Sequence, residues 1–172
     1  MTEITESDAP DIVKLRNDPG SNKFLFQKEL TVEEQLNWIK INKDRTDNKN
    51  FKVTNNAHEF KGTISIYNID NKRGEFGRYI VTNPVNAIEA EYLLLVICFD
   101  QLGLNSVYCQ TNTENQTVWR QHSKLGFRDK STMDVFVGSN SNVLVKAVVQ
   151  EITADEFKAF NYEKVLSLIK KF

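Results

Sequence analysis

Residues 87–102 constrain the fold most. The centre of this segment, Tyr92-Leu93-Leu94-Leu95-Val96-Ile97-Cys98-Phe99, is apolar on every side. Hydrophobic periodicity therefore cannot separate a helix from a buried strand, and length decides. Ala87, Glu89 and Ala90 lead into the run, and Asp100, Gln101 and Gly103 follow it. That leaves room for about four helical turns, and Gly103 suits the position just past a helix C-terminus. A helix without a polar face must be covered on most sides. The apolar stretch is also too short to cross a bilayer, which takes roughly 20 residues.

The flanking sequence supplies the cover. Ser7 can cap a first helix over Ser7–Arg16, with Ala9, Ile12, Val13 and Leu15 as its apolar stripe and Asn17-Asp18-Pro19-Gly20 ending it. Thr31-Val32-Glu33-Glu34 has the capping-box pattern, and Val32, Leu36, Trp38, Ile39 and Ile41 follow at roughly helical spacing. Asp44–Asn50 reads as a polar loop. Phe51–Thr54, Phe60–Ile69 and Glu75–Val81 carry strand signals, with turns at Asn55-Asn56 and Asp70–Gly74. Asn83–Asn86 breaks the chain before the apolar helix. Then come a strand at Val107–Gln110, a helix at Asn115–Lys124 ended by Gly126, and strands at Asp134–Val137 and Val143–Ile152 around the turn Gly138–Asn142. Thr153-Ala154-Asp155-Glu156 is a second capping box. An amphipathic helix, about Tyr162–Lys171, is appended at 161–172, with Leu166, Ile169 and Phe172 on its apolar side. This order predicts a single α+β domain over 1–172, with a mixed, mostly antiparallel sheet flanked by helices.

Composition narrows the function. The chain has 172 residues, and 22 basic side chains face 23 acidic ones. A net charge of −1 gives no electrostatic reason to expect nucleic acid or an anionic membrane as partner. Cys98 and Cys109 are too few for a disulfide framework, and no Cys/His spacing matches a metal site. The acidic start Met1–Glu6 lacks the apolar core of a signal peptide. Together these features predict a cytoplasmic protein with reduced thiols.

One stretch is more specific. Leu102–Gln110 followed by Asn115-Gln-Thr-Val-Trp-Arg-Gln-His-Ser-Lys-Leu-Gly-Phe127 resembles the fifth strand and following helix of the GCN5-related N-acetyltransferase (GNAT) superfamily. Asn115, Val118, His122, Gly126 and Phe127 fall on that helix's pattern. Ile88–Leu95 is similar to the helix after the family's pyrophosphate loop. Leu15–Asp18 and Glu75-Phe-Gly-Arg-Tyr-Ile80 resemble the amino-sugar and ribosomal-protein branches. The likeness covers residues 7–155 and implies acetyl transfer from acetyl-CoA, as co-substrate, to a small-molecule primary amine. The phosphate loop departs from the family pattern: in Thr82–Ala87 only Ala87 fits, Val85 stands where the first glycine belongs, and Pro84 has no N–H. That loop must be rebuilt around the remaining amides of Val85, Asn86, Ala87 and Ile88 at a helix N-terminus.

The resemblance also implies roles. Glu75 is the expected base, acting through water on an amine of α-amino type; Asp70 is a weaker candidate, better read as a turn residue. His122 stands where many members place a tyrosine that protonates the departing thiolate. Backbone amides of Tyr79, Ile80 and Val81 would polarise the thioester carbonyl if a bulge splays the fourth strand from the fifth. Asn115 would bond the pantetheine or phosphate end of the coenzyme. Arg16 and Asn17 would face a nucleotide on the acceptor, with Phe24, Phe26 and Trp38 as an apolar wall. His58 reads as a solvated loop residue, and Glu89 and Glu91 as complements to the helix dipole. Three readings stay open: acetylation of a nucleotide-linked amino sugar, acetylation of protein N-termini, and a binding module that kept the fold without the chemistry. The last helix suits the chain's own sheet or a partner's, which leaves a homodimer open.

Overall fold

The computed structural model describes residues 1–24, 29–137, 143–160 and 162–170. A seven-stranded sheet runs in the order β1-β2-β3-β4-β5-β7-β6. It comprises β1 (Thr2–Glu3), β2 (Lys49–Thr54), β3 (Phe60–Asp70), β4 (Arg73–Val81), β5 (Ser106–Asn112), β6 (Arg128–Phe136) and β7 (Leu144–Thr153). All neighbours are antiparallel except β4 and β5, which run parallel. The helices are α1 (Ala9–Asn17), α2 (Val32–Asn42), α3 (Pro84–Val96), α4 (Gln116–Lys124), α5 (Ala154–Lys158) and α6 (Tyr162–Ile169). This is the mixed, helix-flanked sheet that the sequence predicts.

The all-apolar segment is a helix, and it starts three residues earlier than expected. Pro84 occupies its first turn, where a missing N–H costs nothing, and Asn83 caps it. Leu94, Leu95 and Cys98 pack with Phe51, Ile64, Ile66, Phe76 and Val107 to form the main core on one face of the sheet. A π-helical turn over Ile97–Gln101 carries the chain to Gly103, whose φ of +63° ends the helix. On the opposite face α1 and α2 share a smaller cluster of Ala9, Ile12 and Ile39. The α1 start is corrected: Thr5 and Asp8, not Ser7, form the capping box, on a short 3₁₀ turn over Glu6–Asp8. The Thr31–Glu34 and Thr153–Glu156 boxes stand as read. In α2, Val32 and Ile41 turn outward, while Gln35 takes a buried place.

Strand β2 begins at Lys49, inside the segment read as loop, and β6 begins at Arg128, six residues before the expected strand. Strand β6 is an edge strand, exposed along almost its whole length, so no buried face imposes an alternating pattern on Arg128–Met133. The apolar side of α6 packs on the chain itself: Val165 is buried with Ile88 and Leu125, and Leu168 and Ile169 lie against them. Phe26, the turn Gly138–Asn142 and Phe172 lie outside the described residues. Among the described residues, no helix is long and apolar enough to cross a membrane.

Candidate active site

The sheet opens at its one parallel junction. β4 and β5 pair only at Arg73–Ser106, Gly74–Val107 and Glu75–Tyr108. Beyond that point β4 follows β3 and β5 follows β7, so each keeps a bare edge toward a wedge-shaped gap. The cause is local. β4 carries an extra residue opposite β3 between Gly77 and Ile80, and Arg78 there has φ +49°. Such a bulge adds twist and bends its strand away from the neighbour. This end of β4, Tyr79–Val81, borders the gap where the sequence expected an opening, and alternation turns every second backbone amide there toward it.

Glu75 and Tyr108 form the last pair before the gap, so they stand at its apex. Both alternate with core residues, Phe76 and Val107, and therefore point to the α1/α2 face. Tyr67 Oη donates to Glu75 Oε1 at 3.0 Å, and Tyr108 Oη donates to Oε2 at 3.1 Å. Asn68 Nδ2 also donates to Oε2, at 2.9 Å. A second irregularity aims that amide: β3 shifts register between Tyr67 and Asp70, and Asn68 has φ +51°, a conformation asparagine tolerates. Gly77 leaves room for the Tyr67 phenol, since a Cβ there would lie 2.6 Å from its hydroxyl. Burial and then the Glu75 charge push the Tyr108 phenol above its ordinary value, with Arg73, stacked on its ring at 3.8 Å, opposing. Arg73 in turn binds Glu151 at 2.9 Å.

The other face of the gap is closed by a polar knot. His122 and Glu91 are 2% and 0% exposed, and Nδ1 and Oε1 are 2.7 Å apart. Gln121 Nε2 donates to Glu91 Oε2 at 2.9 Å and to Tyr79 Oη at 2.6 Å, and Tyr79 Oη donates to the Ala87 carbonyl at 2.9 Å. The rings of Phe76, Tyr79 and Phe127 surround the imidazole. The knot joins α3, α4 and the β4 bulge. It corrects the reading of Glu91 as a dipole complement, and because α3 starts at Pro84 exposed Glu89 also lies beyond the first turn. It also gives the His122 ring no open surface, which does not favour the acid role expected for it.

The expected phosphate loop is the first turn of α3. Val85 is helical there and needs no left-handed backbone. Asn83 Oδ1 accepts the Val85 and Asn86 amides at 2.9 and 3.2 Å, and the Asn83 carbonyl accepts Ala87 N at 2.8 Å. Any phosphate gripped at this turn competes with the Asn83 side chain. Asn115 precedes α4, but its side chain makes no capping bond; its carbonyl accepts Val118 and Trp119 instead.

On the α1/α2 face, Arg78 extends from the β4 bulge over Tyr67 and Trp38, at 4.3 and 5.0 Å from the ring centres. Its Nη1 donates to Asn50 Oδ1 at 3.0 Å. Arg16 is close enough that burial, and then the like charge of Arg78, lower its guanidinium from its ordinary value. Asn17 does not face this space freely: its amide donates to the Leu30 carbonyl at 2.8 Å and accepts the Leu30 N–H at 2.9 Å. Phe24 is half-buried, Asp70 sits exposed at the β3–β4 turn, and His58 is an exposed loop residue. Cys98 and Cys109 are buried free thiols, and burial pushes Cys98 up to about 12.

A domain-family model described as Acetyltransferase (GNAT) domain matches residues 1–128. The chain belongs to the GNAT acetyltransferase family. As a GNAT member it is an acyltransferase that takes its acetyl group from acetyl-CoA. Solved structures agree on the GNAT fold. The spermidine N-acetyltransferase of Vibrio cholerae in complex with CoA and spermine superposes with a TM-score of 0.78 at 16% identity, over 91% of this chain and 95% of that one. FdhC in its apo form, described as a nucleotide-linked sugar GNAT, gives 0.77 at 19% identity, over 97% and 91%. No curated protein sequence matches the chain. The wedge fits the family's coenzyme, because both strands leave backbone edges facing it. The capped α3 turn fits the diphosphate only in competition with Asn83.

Sequence reasoning passed over Tyr67, Asn68, Tyr108, Arg78 and Gln121, and misread Glu91. Only Glu91 left a signal: a carboxylate flanked by Ala90 and Tyr92 at the start of an all-apolar run requires a partner.

Proposed function

We propose that this GNAT chain acetylates the primary amine of a nucleotide-linked amino sugar of the kind used in surface glycans. The observation that carries this reading is the pair of neighbouring guanidinium groups, Arg16 and Arg78, beside Trp38 on the acceptor face. Two cations there repel a polyamine and attract a phosphate, and a guanidinium or indole offers a flat surface to a base.

In this reading Glu75 receives the amine proton at the apex of the wedge. The β4 edge amides at Tyr79–Val81 hydrogen-bond the carbonyl oxygen as charge builds on it. Acetyl-CoA supplies an activated acyl carbon and a thiol of pKa about 8.5, a good enough leaving group to depart without a dedicated acid. His122, locked against Glu91, holds α4 to α3 and so positions the gap. Asn115 and the first turn of α3 lie toward the coenzyme's phosphate end.

Release of free thiol from acetyl-CoA tests the acceptor. Nucleoside-diphosphate-linked 4-amino sugars, spermidine and a peptide with a free N-terminus are compared at equal concentration. The amino sugar is expected to give the highest kcat/KM. Preference for spermidine, or for the peptide, overturns the assignment.

A further inference from the structure

Tyr108 bridges the two strands of the wedge at its apex. It lies on β5, directly across from Glu75 of β4, in the last paired position before the strands part. Its hydroxyl donates to Glu75 Oε2 at 3.1 Å. The other Glu75 oxygen is occupied by Tyr67, whose ring is pressed between Gly77 and the Arg78 guanidinium. Asn68 shares Oε2. Oε2 thus already accepts two hydrogen bonds and Oε1 one, and the Tyr108 phenol offers an incoming ammonium a hydrogen-bonded path to Oε2. Of the two phenols, Tyr67 is the more deeply buried, and burial drives its pKa far above the usual value. Tyr108 is less enclosed, and Arg73, stacked on its ring and tied to Glu151, holds its orientation.

We propose that Tyr108 relays the acceptor's proton to Glu75. This rests on the acetyl-transfer reading above. The acceptor ammonium donates to Tyr108 Oη while the Tyr108 proton moves to Glu75 Oε2. That leaves a neutral amine, a neutral phenol and a protonated Glu75. The amine lone pair then forms the C–N bond, the C–S bond breaks, and the thiolate takes the remaining proton lost by the product nitrogen. Glu75 returns its proton to solvent. Tyr67 and Asn68 do not exchange protons with the acceptor; they fix the carboxylate. Tyr108 is then a catalytic residue, and Tyr67 a positioning residue.

The test compares Tyr108→Phe, Tyr67→Phe and the unaltered enzyme, with the acceptor varied at saturating acetyl-CoA. Calorimetry with CoA runs in parallel. Tyr108→Phe is expected to lower kcat/KM for the acceptor about 100-fold, the usual lower bound for losing an acid–base group, with CoA affinity unchanged. Tyr67→Phe is expected to lose only several-fold, with rate and pH profile displaced because Glu75 has lost a partner. An unchanged kcat/KM in Tyr108→Phe overturns the relay. A second measurement needs no variant. Rates of the unaltered enzyme in H2O/D2O mixtures should bow when two protons move together, and a straight line overturns the relay even if Tyr108→Phe fails to fold. If the unaltered enzyme acetylates none of the amines, the acetyl-transfer reading itself fails and takes the relay with it.

Discussion

Glu75 and Glu91 sit on opposite faces of the same gap, and the sheet treats them differently. Glu91 is fully enclosed, and its oxygens meet an imidazole and an amide from α4. Glu75 is half-buried, and its oxygens meet two phenols and an amide from the sheet. A sealed carboxylate with dedicated partners can only hold elements together, since no acceptor reaches it. A carboxylate at the rim, bonded to groups that exchange protons, can act on a substrate. Burial therefore distinguishes the two, although both are glutamates bordering the same opening.

The sharpest way to break this contrast is His122→Phe. It leaves a buried Glu91 oxygen without its principal partner, and an unsatisfied buried polar group costs about 1–3 kcal/mol. Urea melts should show that loss, while the double change Glu91→Leu with His122→Leu recovers much of it. A stable His122→Phe enzyme with slow turnover would return His122 to the chemistry. Next comes Glu75→Gln. It should lower kcat/KM about 100-fold while leaving the melting temperature close to wild type; a loss of stability without loss of rate would make Glu75 a second Glu91. A smaller effect is expected at the far end of the gap. Asn83→Ala removes the cap on α3, at a cost of about 1 kcal/mol, and frees the amides of Val85 and Asn86. CoA titrated into this variant should bind more tightly than to wild type. Weaker binding would mean that Asn83 helps to hold the coenzyme.

The mildest effect concerns acid. Burial would raise the Asp8 carboxyl, but the hydrogen bond from Lys52 at 2.6 Å and those from Thr5 outweigh it and hold it below its ordinary value. A depressed carboxyl contributes stability that is present above its unfolded pKa and lost as pH falls through the folded one. Wild type should thus lose stability on acidification below about pH 4. Asp8→Asn should be less stable at neutral pH and show a flatter acid limb.

Much of the fold was legible because its signals are local. Two of the three capping boxes, the Gly103 and Gly126 stops and the apolar core of α3 depend on a few adjacent residues. The edge strand β6 was not legible, since nothing buries it and polar residues serve as well as apolar ones. The site divides in the same way. The resemblance put Glu75 on β4 beside a possible splay, and the structure stands it where β4 and β5 part. Tyr67, Asn68 and Tyr108 come from three separate places in the chain, and only the register of β3, β4 and β5 with its two bulges brings them to one carboxylate. The rebuilt turn at Asn83–Asn86 looked damaged because it was compared with a glycine loop; as the capped start of a helix its residues are well suited.

Asn17 has a consequence for how this enzyme can diversify. Its amide pairs with both backbone groups of Leu30, stapling together the two ends of the connection from α1 to α2. Whatever the intervening residues are, their anchor points stay fixed beside Arg16. Insertions or exchanges within that span can therefore be absorbed while the end of α1 and the approach to α2 stay joined.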